Sequence, residues 1–235
     1  MSVVAVIPSR GRPDRCRAAV ASMWERAELV DTSIVIAIDK DDPEFTRYLP
    51  VVGMKTGRIG PSITGVALAA EDTGNLVKAT NTASLRIAKE DADAIIGNIG
   101  DDQLCRTQGW DRMVRDAMTV PGFVYGNDLF QEDKLPCGGI FIHASIVNSL
   151  GWYMLPDLEH LFVDNVWKDL GTAIGRLTYL PEMVFEHMHP LAGKADWDDG
   201  YERANNQEIV DRDRVAYEAW RDAGGAISLA QEIAA

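Results

Sequence analysis

The sequence predicts an α/β fold: a mixed, mostly parallel sheet flanked by helices, forming one domain over residues 1–235. Three observations predict it. Short apolar, β-branched runs alternate with longer stretches of helical periodicity through the first half of the chain. Two of those runs, residues 33–38 and 93–100, stop abruptly at Asp39 and at Asp101-Asp102. Ligands of open α/β sheets gather beyond the carboxyl ends of the strands, where such acids belong. Finally, no linker rich in Gly, Pro or Ser divides the chain.

Residues 2–7 (SVVAVI) read as a buried first strand, broken by Pro8-Ser9-Arg10-Gly11-Arg12-Pro13. A helix follows, with Pro13 in its first turn, where a missing N–H costs nothing. Cys16, Val20, Met23, Trp24 and Ala27 mark its inner face. Residues 33–38 (SIVIAI) form the second strand, and the β-α-β order implies a right-handed crossover between parallel strands. Residues 48–74 hold several Gly and Pro, with a third strand expected at 63–68. Asn75 is placed to cap a helix from Leu76 to about Lys89.

The isoleucine-rich strand ending at Asp101-Asp102 comes next. Trp110, Met113, Val114, Ala117 and Met118 have helical spacing, and residues 123–125 read as a strand. Residues 137–142 read as another, with glycines where backbone can approach a ligand. A short helix ends at Gly151 and a further one, from Val163, at Gly171. Residues 182–186 are a strand running into His187-Met188-His189-Pro190, and a last helix spans about 202–223.

Composition excludes several classes. Hydrophobic residues make up 46% and charged residues 25%, as in ordinary globular proteins. The net charge of -13 argues against an extended nucleic-acid surface, which needs clustered Lys and Arg. Cys16, Cys105 and Cys137 are odd in number, widely spaced and without a CxxC. They fit free thiols in a reducing compartment. No stretch has transmembrane length, and the N-terminus runs straight into a strand without a leader layout. A cytoplasmic protein without a membrane partner is expected.

Five groups of residues carry chemistry. Asp101 and Asp102 suit a hard divalent cation that holds a diphosphate, although an acidic turn before a helix has the same composition. The loop from Pro8 to Arg12 can reach a base or phosphate, but it matches neither GxGxxG nor GxxxxGK, and its arginines can equally be solvated. Lys78 and Asn81, three apart, share a helix face. His187 and His189, two apart at a strand end, point the same way, and either can join Asp102 at a metal. Asp164 can act as general base or cap the helix it precedes.

Together these residues resemble the GT-A fold nucleotide-sugar glycosyltransferases, particularly the large inverting family 2. The resemblance rests on Val4-Ala5-Val6-Ile7-Pro8-Ser9, Ile36-Ala37-Ile38-Asp39, Lys78-Ala79-Thr80-Asn81, Gly100-Asp101-Asp102, Gly138-Gly139-Ile140-Phe141 through Leu150-Gly151-Trp152, and Asp164 to Gly171. It covers roughly residues 3–190 and implies a nucleotide-binding half at residues 1–105, an acceptor and catalytic half at 106–200, and a C-terminal helix at 201–235. It implies that Pro8, Ser9, Arg10 and Asp39 hold base and ribose, and that Lys78 and Asn81 face the nucleotide. Asp102 would be the main metal ligand, with Asp101 beside it and His187 or His189 completing the contact. Asp164 would be the catalytic base. Three positions depart from the family pattern: Gly-Asp-Asp lacks an additional acid, Lys78 stands for the usual Arg, and Val163-Asp164 replaces an acid pair.

The implied activity is transfer of a sugar from a nucleotide-diphosphate donor to an acceptor hydroxyl, with Mn or Mg and with inversion. Small single-domain transferases of this kind occur in bacteria and bacteriophages, where the host cytoplasm would be the site of action. The acceptor is open among a small molecule, a glycan, a protein and a modified DNA base. A sugar nucleotidyltransferase of similar fold and an inactive nucleotide-binding module are the alternatives.

Overall fold

The computed structural model describes residues 1–51, 62–68 and 74–234. Eight strands form a sheet in the order β3-β2-β1-β4-β7-β6-β8-β5. They are β1 (Val3–Ser9), β2 (Thr32–Asp39), β3 (Ser62–Leu68), β4 (Ile95–Asn98), β5 (Gln103–Cys105), β6 (Phe123–Asn127), β7 (Gly138–His143) and β8 (Leu177–His187). The pairings β3·β2, β2·β1, β1·β4 and β6·β8 are parallel. Those of β7 with β4 and β6, and of β5 with β8, are antiparallel. The expected mixed sheet is therefore found. The Gly- and Pro-containing residues 52–61 and 69–73 lie outside the described residues.

Period-two alternation along the strands builds two cores. Val3, Ala5, Ile7, Ile34, Ile36 and Phe141 face one side. There they meet α1 (Pro13–Arg26), α2 (Phe45–Tyr48) and α4 (Trp110–Ala117) through Cys16, Val20, Met23, Tyr48, Trp110 and Val114. Val6, Val35, Ile96, Ile140 and Ile142 face the other side. They meet α3 (Leu76–Glu90), α5 (Ala144–Leu150) and α6 (Val163–Ala173). Two layers of helices thus enclose one sheet.

Local chemistry explains several helix ends. Pro13 opens α1, the Asn75 side chain accepts a hydrogen bond from Lys78 N at 2.9 Å to cap α3, and Gly151 (φ 73°) closes α5.

Five expectations are corrected. β4 stops at Asn98, so Asp101 and Asp102 lie in a turn before the short β5, which periodicity missed. β8 begins at Leu177, five residues earlier than expected, because its two ends pair with different partners. Its first residues run beside β6 and its last beside β5, with Pro181 in the register shift between them. α6 runs past Gly171, which packs tightly under Leu177 and does not terminate it. The glycine of β7 at 138 accommodates the neighbouring strand, since a Cβ there would collide with the Gly126 carbonyl. The single C-terminal helix is three: α7 (Asp199–Ala204), α8 (Gln207–Asp222) and α9 (Gly225–Ala234). Asn206 caps α8 through Glu208 N at 2.9 Å, and Gly224 (φ 75°) follows it.

No helix among the described residues is long and apolar enough to cross a membrane.

Candidate active site

Beyond the carboxyl ends of β1, β2 and β4 lies a cleft of about 690 Å³. Pro8, Ser9, Arg10, Asp39, Asp101, Asp102, Asp164, His187 and His189 all line it. The topology thus brings nine of the eleven expected residues to one place. Lys78 and Asn81 do not line it. Lys78 is exposed on α3. The Asn81 amide is committed elsewhere: its oxygen accepts from Tyr153 N and Met154 N, both at 2.8 Å, and its nitrogen donates to the Met154 carbonyl at 2.8 Å.

At the β2 end, buried Asp39 accepts hydrogen bonds from Arg10 at 2.7 Å and from Gly74 N at 2.6 Å. Arg10 also pairs with Asp41, which raises its pKa further. Ser9 donates to Asp101 at 2.6 Å and contacts the buried Tyr48 hydroxyl, which accepts from Arg12 N. Gly11 N is bound to Asp42. The amides of this loop are therefore tied inward.

Asp101 and Asp102 are adjacent but have opposite electrostatics. Burial pushes the Asp101 carboxyl upward, and the charge of Asp102 adds to that. Burial acts the same way on Asp102, but His187, the Tyr201 hydroxyl and Arg12 outweigh it and hold Asp102 below the usual range. Tyr201 donates to Asp102 Oδ2 at 2.7 Å, and His187 Nε2 lies 3.4 Å from the same oxygen. The other His187 nitrogen faces Asp128, which is fully buried. Burial lowers the His187 pKa, yet Asp102 and Asp128 together lift it to about 9. His189 stacks on Phe130 and caps the turn Pro190–Ala192, accepting from Leu191 N at 3.2 Å.

These residues fit a divalent cation. Two ligands of one cation, each at about 2.1 Å, stand about 3.0–3.4 Å apart. Asp102 Oδ2 and His187 Nε2 have that spacing. Among the described residues no cluster of three or more protein ligands exists. A hard cation bound by one or two protein groups completes its shell with phosphate and water oxygens.

Asp164, which also lines the cleft, lies in the first turn of α6 and does not cap it. The cap position is Phe162, in the left-handed region at φ 62°. Burial lifts the Asp164 carboxyl to about 6, partly offset by a hydrogen bond with the Cys137 thiol and by the charge of His187. The loop before α6 is held by Asp213 of α8, fully buried, which accepts from the amides of Glu159, His160 and Leu161.

Sequence reasoning missed Tyr201 and Asp128 as site residues, and left Arg12 open between a ligand-reaching loop and solvent. Arg12 is not solvated: it reaches Asp101 at 3.4 Å, pairs with Asp198 and lies 4.0 Å over the Tyr201 ring. Nothing in the sequence marks Tyr201. Asp128, however, follows an apolar strand just as Asp39 does, and the same rule could have found it.

No family model matches this chain, and no curated protein does. Solved structures do. S. aureus TarS 1-349 superposes with a TM-score of 0.59 at 10% identity, over 90% of this chain and 71% of that one. The chain spans 43% of the longer TarS chain. The mannosyltransferase PcManGT from Pyrobaculum calidifontis, solved with GDP-Man and Mn2+, gives 0.57 at 12% identity over 98% and 73%. A Bacillus anthracis protein assigned as a glucose-1-phosphate thymidylyltransferase gives 0.51 at 12% identity over 86% and 99%. The fold is GT-A-like.

Proposed function

We propose that this protein is a metal-dependent glycosyltransferase that moves a sugar from a nucleotide-diphosphate donor to an acceptor hydroxyl with inversion. The observation that carries this reading is the convergence of Asp39, Asp102, His187 and Asp164 on one cleft at the strand ends of a GT-A-like sheet. The neighbours include proteins solved with UDP and with GDP-Man and Mn2+, which supports the same class of donor here.

Asp39 and Arg10 form a polar rim where base and ribose would be held. Asp102 and His187 would hold Mn or Mg, which neutralises charge on a departing diphosphate when bound. Arg12, beside Asp101, adds fixed positive charge to the same region. Asp164 takes the proton from the acceptor hydroxyl, for which its pKa near 6 is well matched at neutral pH. The oxygen so activated attacks the anomeric carbon as the bond from that carbon to the diphosphate breaks, and attack from the opposite side inverts the configuration.

The thymidylyltransferase neighbour favours a second reading, nucleotidyl transfer. That chemistry needs backbone amides after β1 free to cradle a triphosphate. Here Gly11 N and Arg12 N are bonded to Asp42 and Tyr48. Sugar transfer is therefore the better reading.

The test is a donor screen by mass spectrometry with Mn2+ present. One nucleotide-sugar is expected to be consumed with release of its nucleoside diphosphate. Pyrophosphate release from a nucleoside triphosphate, with every nucleotide-sugar untouched, would sink the proposal in favour of nucleotidyl transfer.

A further inference from the structure

Asp128 is fully buried, follows β6 directly and divides its two carboxylate oxygens between two tasks. Oδ1 accepts hydrogen bonds from three successive amides, Phe130 N at 2.9 Å, Gln131 N at 2.7 Å and Glu132 N at 2.9 Å. Oδ2 is buried and, among the described residues, has no hydrogen-bond partner. It lies 3.8 Å from His187 Nδ1, which is also buried and without one. That separation is longer than a hydrogen bond, and a small turn of the ring closes it. The Asp128 carbonyl meanwhile accepts from His187 N at 3.0 Å, so one residue grips both the backbone and the ring of His187.

The chain bends hard to achieve this. β6 changes register with β7 at Tyr125/Gly126 and with β8 at Gly126/Asn127. Leu129 and Glu132 sit in the left-handed region at φ 55° and 54°. Such conformations are unfavourable for side chains of this size and persist where the surroundings impose them.

We infer that Asp128 is a positioning residue for the cation site: it keeps the proton on Nδ1 of the His187 ring when a cation displaces the proton on Nε2, leaving the Nε2 lone pair aimed at the cation beside Asp102. A ring nitrogen that ligates a metal must be bare, and the partner of the opposite nitrogen decides which one is bare. This rests on the reading of Asp102 and His187 as the cation site.

The test uses the full chain and Mn2+ alone, with affinity read by EPR titration. Asp128→Asn keeps an oxygen for the three loop amides but presents an NH2 group to His187 Nδ1, favouring the tautomer with its proton on Nε2. Mn2+ affinity is expected to fall about 10- to 100-fold. Hydrogen exchange at the amides of Phe130, Gln131 and Glu132 should stay as in the wild type, since the loop cap is retained. In a His187→Gln background the same substitution should change Mn2+ affinity by less than about twofold, because Asp128 acts through the ring. A second measurement needs no variant: 15N-histidine NMR of the wild type with Mg2+ should place the His187 ring proton on Nδ1.

Affinity that falls with His187→Gln but not with Asp128→Asn overturns this inference and leaves the cation site standing. Affinity unchanged by both, or no Mn2+ binding by the wild type, overturns the site and the inference together. A ring proton on Nε2 overturns the inference whether or not the variant folds.

Discussion

Asp102 Oδ2 and His187 Nε2 face each other at 3.4 Å, one in the turn after β4 and the other at the last residue of β8. The pairing of β5 with β8 produces this meeting, since Gln103 is in register with His187. The short strand that periodicity missed, β5, is therefore the one that assembles the proposed cation site.

Asp102→Ala should lower sugar transfer by roughly 100- to 1000-fold, a magnitude typical for loss of a group that stabilises developing charge. EDTA should reduce wild-type turnover comparably, and Mn2+ should restore the wild type but not the variant. Donor consumption followed by mass spectrometry checks both. Full activity of the variant would remove Asp102 from the mechanism.

Asp164 makes a prediction about pH. Its carboxyl stands near 6 in the folded chain, above the ordinary 3.8. A base works only when ionised, so kcat/KM should fall as pH drops through about 6 and be flat above it. Asp164→Asn should erase that limb and slow transfer by about 100- to 10,000-fold. A profile that keeps its limb in the variant would assign the base elsewhere.

The same shift has a consequence for stability. A carboxyl raised on folding binds more protons in the native state, so stability falls as pH rises from about 4 to about 6 and stays lowered above that window. Asp164→Asn avoids the charged form altogether. At pH 8 it should be more stable than the wild type by about 1–3 kcal/mol, measured by urea denaturation. A less stable variant would mean that burial is not what lifts this carboxyl.

Asp39→Ala should weaken binding of the preferred nucleoside diphosphate by about 10- to 100-fold, the range for a lost hydrogen bond to a charged group. Calorimetry with UDP and GDP in parallel would read the loss and the base preference together. Unchanged affinity for both would place the base away from β2.

Asn81→Ala should act on the fold and not on the donor. Removing its oxygen leaves the amides of Tyr153 and Met154 unpaired, at a cost of about 1–3 kcal/mol. Urea denaturation should show that loss while nucleotide affinity in the folded protein stays within about twofold. A selective loss of affinity without destabilisation would return Asn81 to the donor site.

How far the sequence is legible depends on the range of the interactions. The strands with continuous apolar runs, the helix capped by Asn75, and Gly151 as a helix end are local features, so residue pattern alone determined them. The acids Asp39, Asp101, Asp102 and Asp164 could be picked out because charge at the end of an apolar run is costly without a purpose. The split of the C-terminal helix at Asn205-Asn206 was also written locally, in a cap that helical spacing alone overlooks.

Tertiary structure decided the rest. Whether Asn81 turns to a nucleotide or to the Tyr153 backbone, and whether Arg12 is solvated or lies over Tyr201, depends on what packs beside them. The opposite electrostatics of Asp101 and Asp102 come from burial, which lifts Asp101, and from His187 and Tyr201, both distant in the chain, which hold Asp102 down. Asp128 behind His187 shows the same limit. A strand's own residues set its hydrophobic pattern, but only strand pairing sets which carboxylate stands next to which imidazole, because desolvation and charge act through space and not along the chain.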